Sequence, residues 1–189
     1  MSLAEIGRLA HVTPYFLPPG VEPGLQATEY FDTVDITFSN GVHLAALEVD
    51  LETGLVEILK YVVVEDCGTI INPDIVDGQV VGGLAQGLGD ALFEEILYDE
   101  HGQVRNASLM DYLLPTATEV PNVTIEHLCS PSPNTVLGIK GVGESGTIPV
   151  GAAIANALAD AIDPRRCRPG ALPLTPDRLR RTIKAAQEA

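Results

Sequence analysis

The sequence predicts an α+β fold: a hairpin-based mixed or antiparallel sheet packed with a glycine-rich and an alanine-rich helix, plus a helix near the C-terminal end. Three observations carry this expectation. Residues 42–49 and 56–64 are β-rich runs joined by Asp50-Leu51-Glu52-Thr53-Gly54, a pattern that closes as an antiparallel hairpin. Ile75, Val76, Val80, Leu84, Leu88, Leu92 and Ile96 recur at three-to-four-residue spacings across residues 74–97, the period of a helix. Ile154, Ala155, Leu158 and Ile162 mark a second, alanine-rich and apolar helix over residues 148–162.

Taken in order, residues 1–40 read as an extended wrapping segment. Pro14, Pro18, Pro19, Gly20, Pro23 and Gly24 break any regular period, while Tyr15, Phe16, Tyr30 and Phe31 supply apolar anchors. The α+β domain then occupies residues 41–165. Its second strand stops alternating at Val62-Val63-Val64, so its end should be buried on both faces. Pro73 is placed to open the glycine helix. Gly78, Gly82, Gly83, Gly87 and Gly89 lie inside that helix, each at about 1 kcal/mol relative to alanine. So many glycines imply a close backbone approach, and spacing alone favours tight packing over a bound flat ligand. Asp99-Glu100-His101-Gly102 is a turn, residues 103–105 pair briefly, and residues 123–128 form a strand. Residues 166–189 are a link and a C-terminal helix that opens at Thr175-Pro176, with Asp177 and Lys184 suiting its dipole.

Composition narrows the function. With 26 acidic against 11 basic side chains the net charge is −15, which repels phosphate backbones and disfavours nucleic acid. An apolar fraction of 46% is enough for a globular core, yet no long charge-free run could span a membrane. The opening Met1-Ser2-Leu3-Ala4-Glu5 lacks a secretory pattern. Cys67, Cys129 and Cys167 are widely spaced, with no CxxC; this argues against iron–sulfur or zinc ligation and for a reducing, cytoplasmic setting.

The chemistry-bearing segment is residues 138–146, Gly-Ile-Lys-Gly-Val-Gly-Glu-Ser-Gly, running into the alanine-rich helix. Residues 141–146 match GxGxxG, but no strand ending in an acid follows at the spacing a dinucleotide fold needs, and Lys140 precedes its glycine, unlike a Walker loop. The segment can present main-chain amides to an anion, and Glu144 projects from it as a candidate base. The competing reading makes Glu144 a helix cap and Lys140 a solvated cation. Ser145 lacks the setting of a nucleophile elbow, the four histidines lack metal-ligand spacing, and Glu94-Glu95 with Asp99-Glu100 reads as a solvated face.

Four ordered blocks carry a resemblance: Asp66-Cys67-Gly68 with Ile71-Asn72-Pro73; residues 78–89; Asp111-Tyr112-Leu113-Leu114-Pro115-Thr116; and Lys140-Gly141-Val142-Gly143-Glu144-Ser145. Together they resemble the molybdopterin-binding large subunit of the xanthine dehydrogenase family, which includes aldehyde oxidoreductases and aerobic carbon monoxide dehydrogenases. The resemblance spans roughly residues 26–183. It implies a molybdenum hydroxylase acting on an aldehyde, an N-heterocycle or CO, with a molybdopterin cofactor in mononucleotide or cytosine dinucleotide form. Glu144 would be the general base that deprotonates the attacking hydroxyl. Gly141, Val142 and Gly143 would line the metal, Lys140 would lie near the cofactor, Gln79 would hydrogen-bond the pterin, and Gly82 and Gly83 would let the helix approach it. The family's upstream glutamine, GGGFG-like segment and substrate loops are absent from these 189 residues. The resemblance therefore implies a C-terminal portion that is inactive alone, completed by the upstream half of the large subunit and by iron–sulfur and FAD subunits or domains. A non-catalytic scaffold fragment and an anion-binding module on residues 141–146 are the alternatives.

Overall fold

Alternating residues on either side of Gly54 build the centre of the fold. The computed structural model describes residues 1–32, 35–163, 165, 167 and 169–188. Strand β1 (Asn40–Val49) runs antiparallel to β2 (Val56–Asp66). Gly54 turns the hairpin at φ 78°, and the Asp50 carboxylate accepts from the Glu52 and Thr53 amides. Ala46 opposes Lys60 while Leu47 opposes Ile58, so Leu59 is the extra residue of a bulge. Strand β3 (Val123–His127) lies parallel to β2, giving the order β1-β2-β3 and a mixed sheet. A parallel pair needs a long crossover, and residues 67–122 supply it.

One face of this sheet is covered. Tyr61 and Val63 meet Val80, Leu84 and Leu88 of α2 (Pro73–Leu88), Val150, Ile154 and Leu158 of α3 (Val150–Ile162), and Leu179 of α4 (Pro176–Glu188). The outer face is open, with Val42 and Leu44 58% and 59% exposed. Along Val62-Val63-Val64 only Val63 is fully buried, Val62 and Val64 being half-buried on the outer side, so the expected burial of both faces is reached only beyond that run, at Glu65 and Asp66.

Helix α2 opens at Pro73 with Asn72 as its cap, its side chain accepting from the Ile75 amide at 3.3 Å. It stops short of residue 97. A single π turn, Gly89–Phe93, follows Leu88, and Glu94 is extended. Ile96 therefore belongs to a non-helical stretch tied back by Arg105 N–H to the Leu97 carbonyl and by the Tyr98–Val104 bridge. Nor are Glu94 and Glu95 a solvated face: Tyr112 donates to Glu94 at 2.6 Å, and Arg178 engages Glu95.

The chain divides into two units, Met1–Thr33 and Val34–Ala189. The first corrects the extended reading of residues 1–40. It contains helix α1 (Leu3–His11) and a 3₁₀ turn, Pro14–Phe16. The reason is a capping box. Ser2 Oγ accepts from the Glu5 amide at 3.3 Å, and Ser2 N–H donates to Glu5 Oε2 at 2.6 Å. Among the described residues all three cysteines are free, and no helix is long and apolar enough to cross a membrane. Within the 166–189 segment, Arg166, Arg168 and Ala189 lie outside the described residues.

Candidate active site

The end of β2 and the glycine segment are joined by a short antiparallel bridge between Gly68 and Ile139. Lys140 N–H donates to the Cys67 carbonyl at 2.8 Å, and Thr69 N–H to the Gly138 carbonyl at 3.1 Å. Both turns need glycine: Gly68 and Gly138 have φ of 71° and 70°, and a β-carbon on Gly68 would stand 2.2 Å from the Gly138 oxygen. The Lys140 ammonium then reaches Asp66 Oδ1 at 3.3 Å, with the two side chains 10% and 9% exposed. Asp66 also accepts from the Gly68 and Ser130 amides at 2.9 and 3.0 Å. The Ser130 hydroxyl, these amides and Lys140 hold its carboxyl well below the usual carboxylate range. Lys140 is thus a buried anchor rather than a solvated cation.

The second anchor is Gly146, which lies directly on α2. A β-carbon on Gly83 would stand 2.9 Å from Gly146, and one on Gly87 would stand 2.6 Å from Val150. Gly83 and Gly87 therefore serve packing, as the spacing alone favours. Gly78 and Gly82 do not: nothing lies within 4 Å of a β-carbon at either. Both kinds of glycine occur on one helix, one set facing the interior and one set open.

Between the anchors the chain bows outward. Gly141 has open space where a side chain would be, and the atom facing Gly143 is Gln79 Oε1, 3.9 Å from its β-carbon position. The structure thus brings Gln79 and Gly143 together beside the open helix face at Gly82. Glu144 is exposed, and its carboxylate has no hydrogen bond or ion pair among the described residues. It does not cap α3; only its carbonyl takes part in the following turn, accepting from Thr147 and Ile148 at 3.1 and 3.2 Å. Ser145 donates its hydroxyl proton to the Val142 carbonyl at 2.9 Å and closes the bend.

Beneath the bend the covered face of the sheet turns polar. His43, Tyr61, Glu65 and His127 share this face: Glu65 is the register partner of His127, and His43 stands opposite Val63, between Tyr61 and Glu65. His43 Nδ1 and the Tyr61 hydroxyl are 3.0 Å apart, and His127 Nε2 lies 2.7 Å from Asp77 Oδ1 of α2. Burial pushes the Tyr61 phenol up and the His43 ring down, the latter opposed by the Ser145 main chain. Metal-ligand spacing does not single these histidines out in the sequence. Among the described residues no cluster of three or more His, Cys, Asp and Glu could hold a metal. The available signal was period-two alternation, which places Glu65 on the same face as Tyr61 and Val63.

The model of the molybdopterin cofactor-binding domain matches residues 1–121. The nicotine 6-hydroxylase large subunit of Paenarthrobacter nicotinovorans is 42% identical over 184 residues, 97% of this chain and 22% of that protein. Among solved structures, quinoline 2-oxidoreductase from Pseudomonas putida 86 superposes with a TM-score of 0.83 at 42% identity, over 97% of this chain and 23% of the other. A reconstituted CO dehydrogenase from Oligotropha carboxidovorans gives a TM-score of 0.84 at 34% identity, over 100% and 23%. The chain thus spans less than a quarter of the relatives it matches. From the paired anchors, the open glycine face and these likenesses together, the chain belongs to the molybdopterin cofactor-binding domain family, as found in the large subunits of molybdenum hydroxylases.

Proposed function

We propose that this chain is the C-terminal cofactor-binding part of a molybdenum hydroxylase large subunit, with Glu144 as general base. The observation that carries the reading is the meeting of Gln79 with Gly143 beside the unfilled positions at Gly82 and Gly141, next to an unpartnered Glu144. This arrangement fits a flat pterin: the backbone is accessible, no side chain obstructs it, and an amide is available for hydrogen bonding. Gln79, Gly82, Gly141, Val142 and Gly143 would hold the cofactor. Gly83 brings the bend to the helix, and Lys140 fixes its start through Asp66. When bound, the molybdenum cofactor supplies the two-electron acceptor and the oxygen for hydroxylation. Glu144 would accept a proton at its carboxylate during hydroxylation, a role suited to an exposed carboxylate on a bend free of bulky neighbours.

The substrate class is an aldehyde, an N-heterocycle or CO. The remaining walls of the site come from the upstream half of the large subunit, and electrons leave through iron–sulfur and FAD partners in a cytoplasmic complex. The 189 residues alone turn over nothing, because the cradle they form has one side only. Glu144→Gln in the assembled enzyme tests the reading. Turnover should fall about 10²–10⁴-fold with molybdenum and pterin content unchanged. Near-normal turnover rejects Glu144 as the base.

A further inference from the structure

The side of the sheet turned away from the helices carries a pattern of its own. Outward from β1 point Val42, Leu44, Ala46 and Glu48, all of them exposed. Their register partners on β2 are Val64, Val62, Lys60 and Glu57, in that order. On β3, Glu126 extends the Val42–Val64 row. The centre of this face is therefore apolar, with two carboxylates at one end and a third at the opposite corner. Glu48 and Glu57 are directly opposed, and like charges so placed on paired strands repel. Among the described residues none of the three carboxylates takes part in an ion pair, and Lys60 on the same face bridges none of them.

An exposed apolar centre with a polar border is the anatomy of a protein interface. We propose that this face docks the upstream half of the same large subunit, through an apolar segment that lays Lys or Arg across Glu48 and Glu57. The inference rests on reading the chain as the C-terminal part of such a subunit. Two solved relatives match 97% and 100% of this chain, yet it fills only 23% of each. In those proteins the same hairpin has most of a large subunit available to cover it. Charge selects the occupant further. A second copy brings the same three carboxylates and the same net charge of −15, so stacking face to face sets acid against acid. A segment with basic side chains removes the Glu48–Glu57 repulsion instead.

Thiol labelling of the assembled enzyme tests the docking. In Leu44→Cys the added thiol should react with a maleimide at least about tenfold more slowly than in the same protein unfolded in urea. Reaction at the unfolded rate shows a face open to solvent and overturns the proposal. Should Leu44→Cys fail to assemble, Ala46→Cys, a smaller change on the same face, serves instead. The large subunit purified away from its partner subunits, and diluted, identifies the occupant. Protection that persists there supports the upstream half. Protection that is lost with the iron–sulfur or FAD subunits, or that rises with concentration, assigns the face to them or to a second copy and overturns the proposal. Glu48→Lys together with Glu57→Lys should raise the labelling rate of Leu44→Cys about tenfold, and an unchanged rate rejects the basic segment. Free labelling in an enzyme that keeps its molybdenum and pterin removes the docking alone. Normal turnover in Glu144→Gln removes the catalytic reading and leaves the labelling pattern untouched.

Discussion

Gly146 and Val80 are in direct main-chain contact: a β-carbon on Gly146 would stand 2.5 Å from the Val80 carbonyl oxygen. That oxygen is part of the α2 ladder and cannot retreat without breaking a helical bond. Gly146→Ala is therefore expected to destabilise the chain by about 1–3 kcal/mol, the usual range for overfilling a packed contact. Urea titration at neutral pH measures it, and an unchanged midpoint would show that the bend can slide off the helix.

Gly82 should behave in the opposite way, although it is only two residues after Val80 on the same helix. Its surroundings are open, so Gly82→Ala should gain about 0.8–1 kcal/mol from helix propensity alone. In the assembled enzyme the same methyl would stand in the proposed cradle, and pterin content should fall. Denaturation of the chain and fluorescence of extracted pterin separate the two effects. A gain in stability with full pterin content would move the cofactor away from this face.

Acid stability should depend on Asp66. Its carboxyl is held below the ordinary value of 3.8 in the folded state, so the stability it contributes is complete above that value and is lost as pH falls below it through the lower folded value. Asp66→Asn should lower stability at pH 7 by about 1.5–3 kcal/mol, the range for hydrogen bonds to a charged group. The difference from the native chain should shrink below about pH 4. A gap that stays constant with pH would mean that the charge of Asp66 is not what the bridge uses.

Glu65 gives the reverse slope. The folded chain keeps its proton longer than the unfolded chain does, so its contribution is complete below the ordinary value of 4.5 and declines as pH rises toward the folded value. Glu65→Gln cannot titrate. Melting temperatures of the two chains should converge near pH 4 and diverge toward pH 8, with the glutamine variant the more stable. Parallel curves would show that the carboxyl is not protonated in the fold.

Much of this architecture could be read from residue order because local signals and burial agreed. The hairpin around Gly54, the opening of α2 at Pro73, and the apolar stripe of α3 each have a period and a boundary residue that point the same way. The end of α2 was not legible. Ile96 continues the helical period, but the chain leaves the helix through the turn at residues 89–93, for which no side-chain spacing is diagnostic. Helix α1 was legible in Ser2 and Glu5, a signal masked by the prolines that follow. Within the site, Glu144 and Gln79 stood out through resemblance. Only folding showed that Gln79 meets Gly143 and that Lys140 is sunk against Asp66, because these pairs are 64 and 74 positions apart.

The uncovered side of the hairpin has a practical outcome. Strand β1 is ten residues long and forms a rim of the sheet, with Val42 and Leu44 turned outward. Such a rim is a template on which a second strand can zip. Produced without a covering polypeptide, the chain should self-associate as its concentration rises. A lysine at position 42 or 44 would raise its solubility while leaving the interior packing intact.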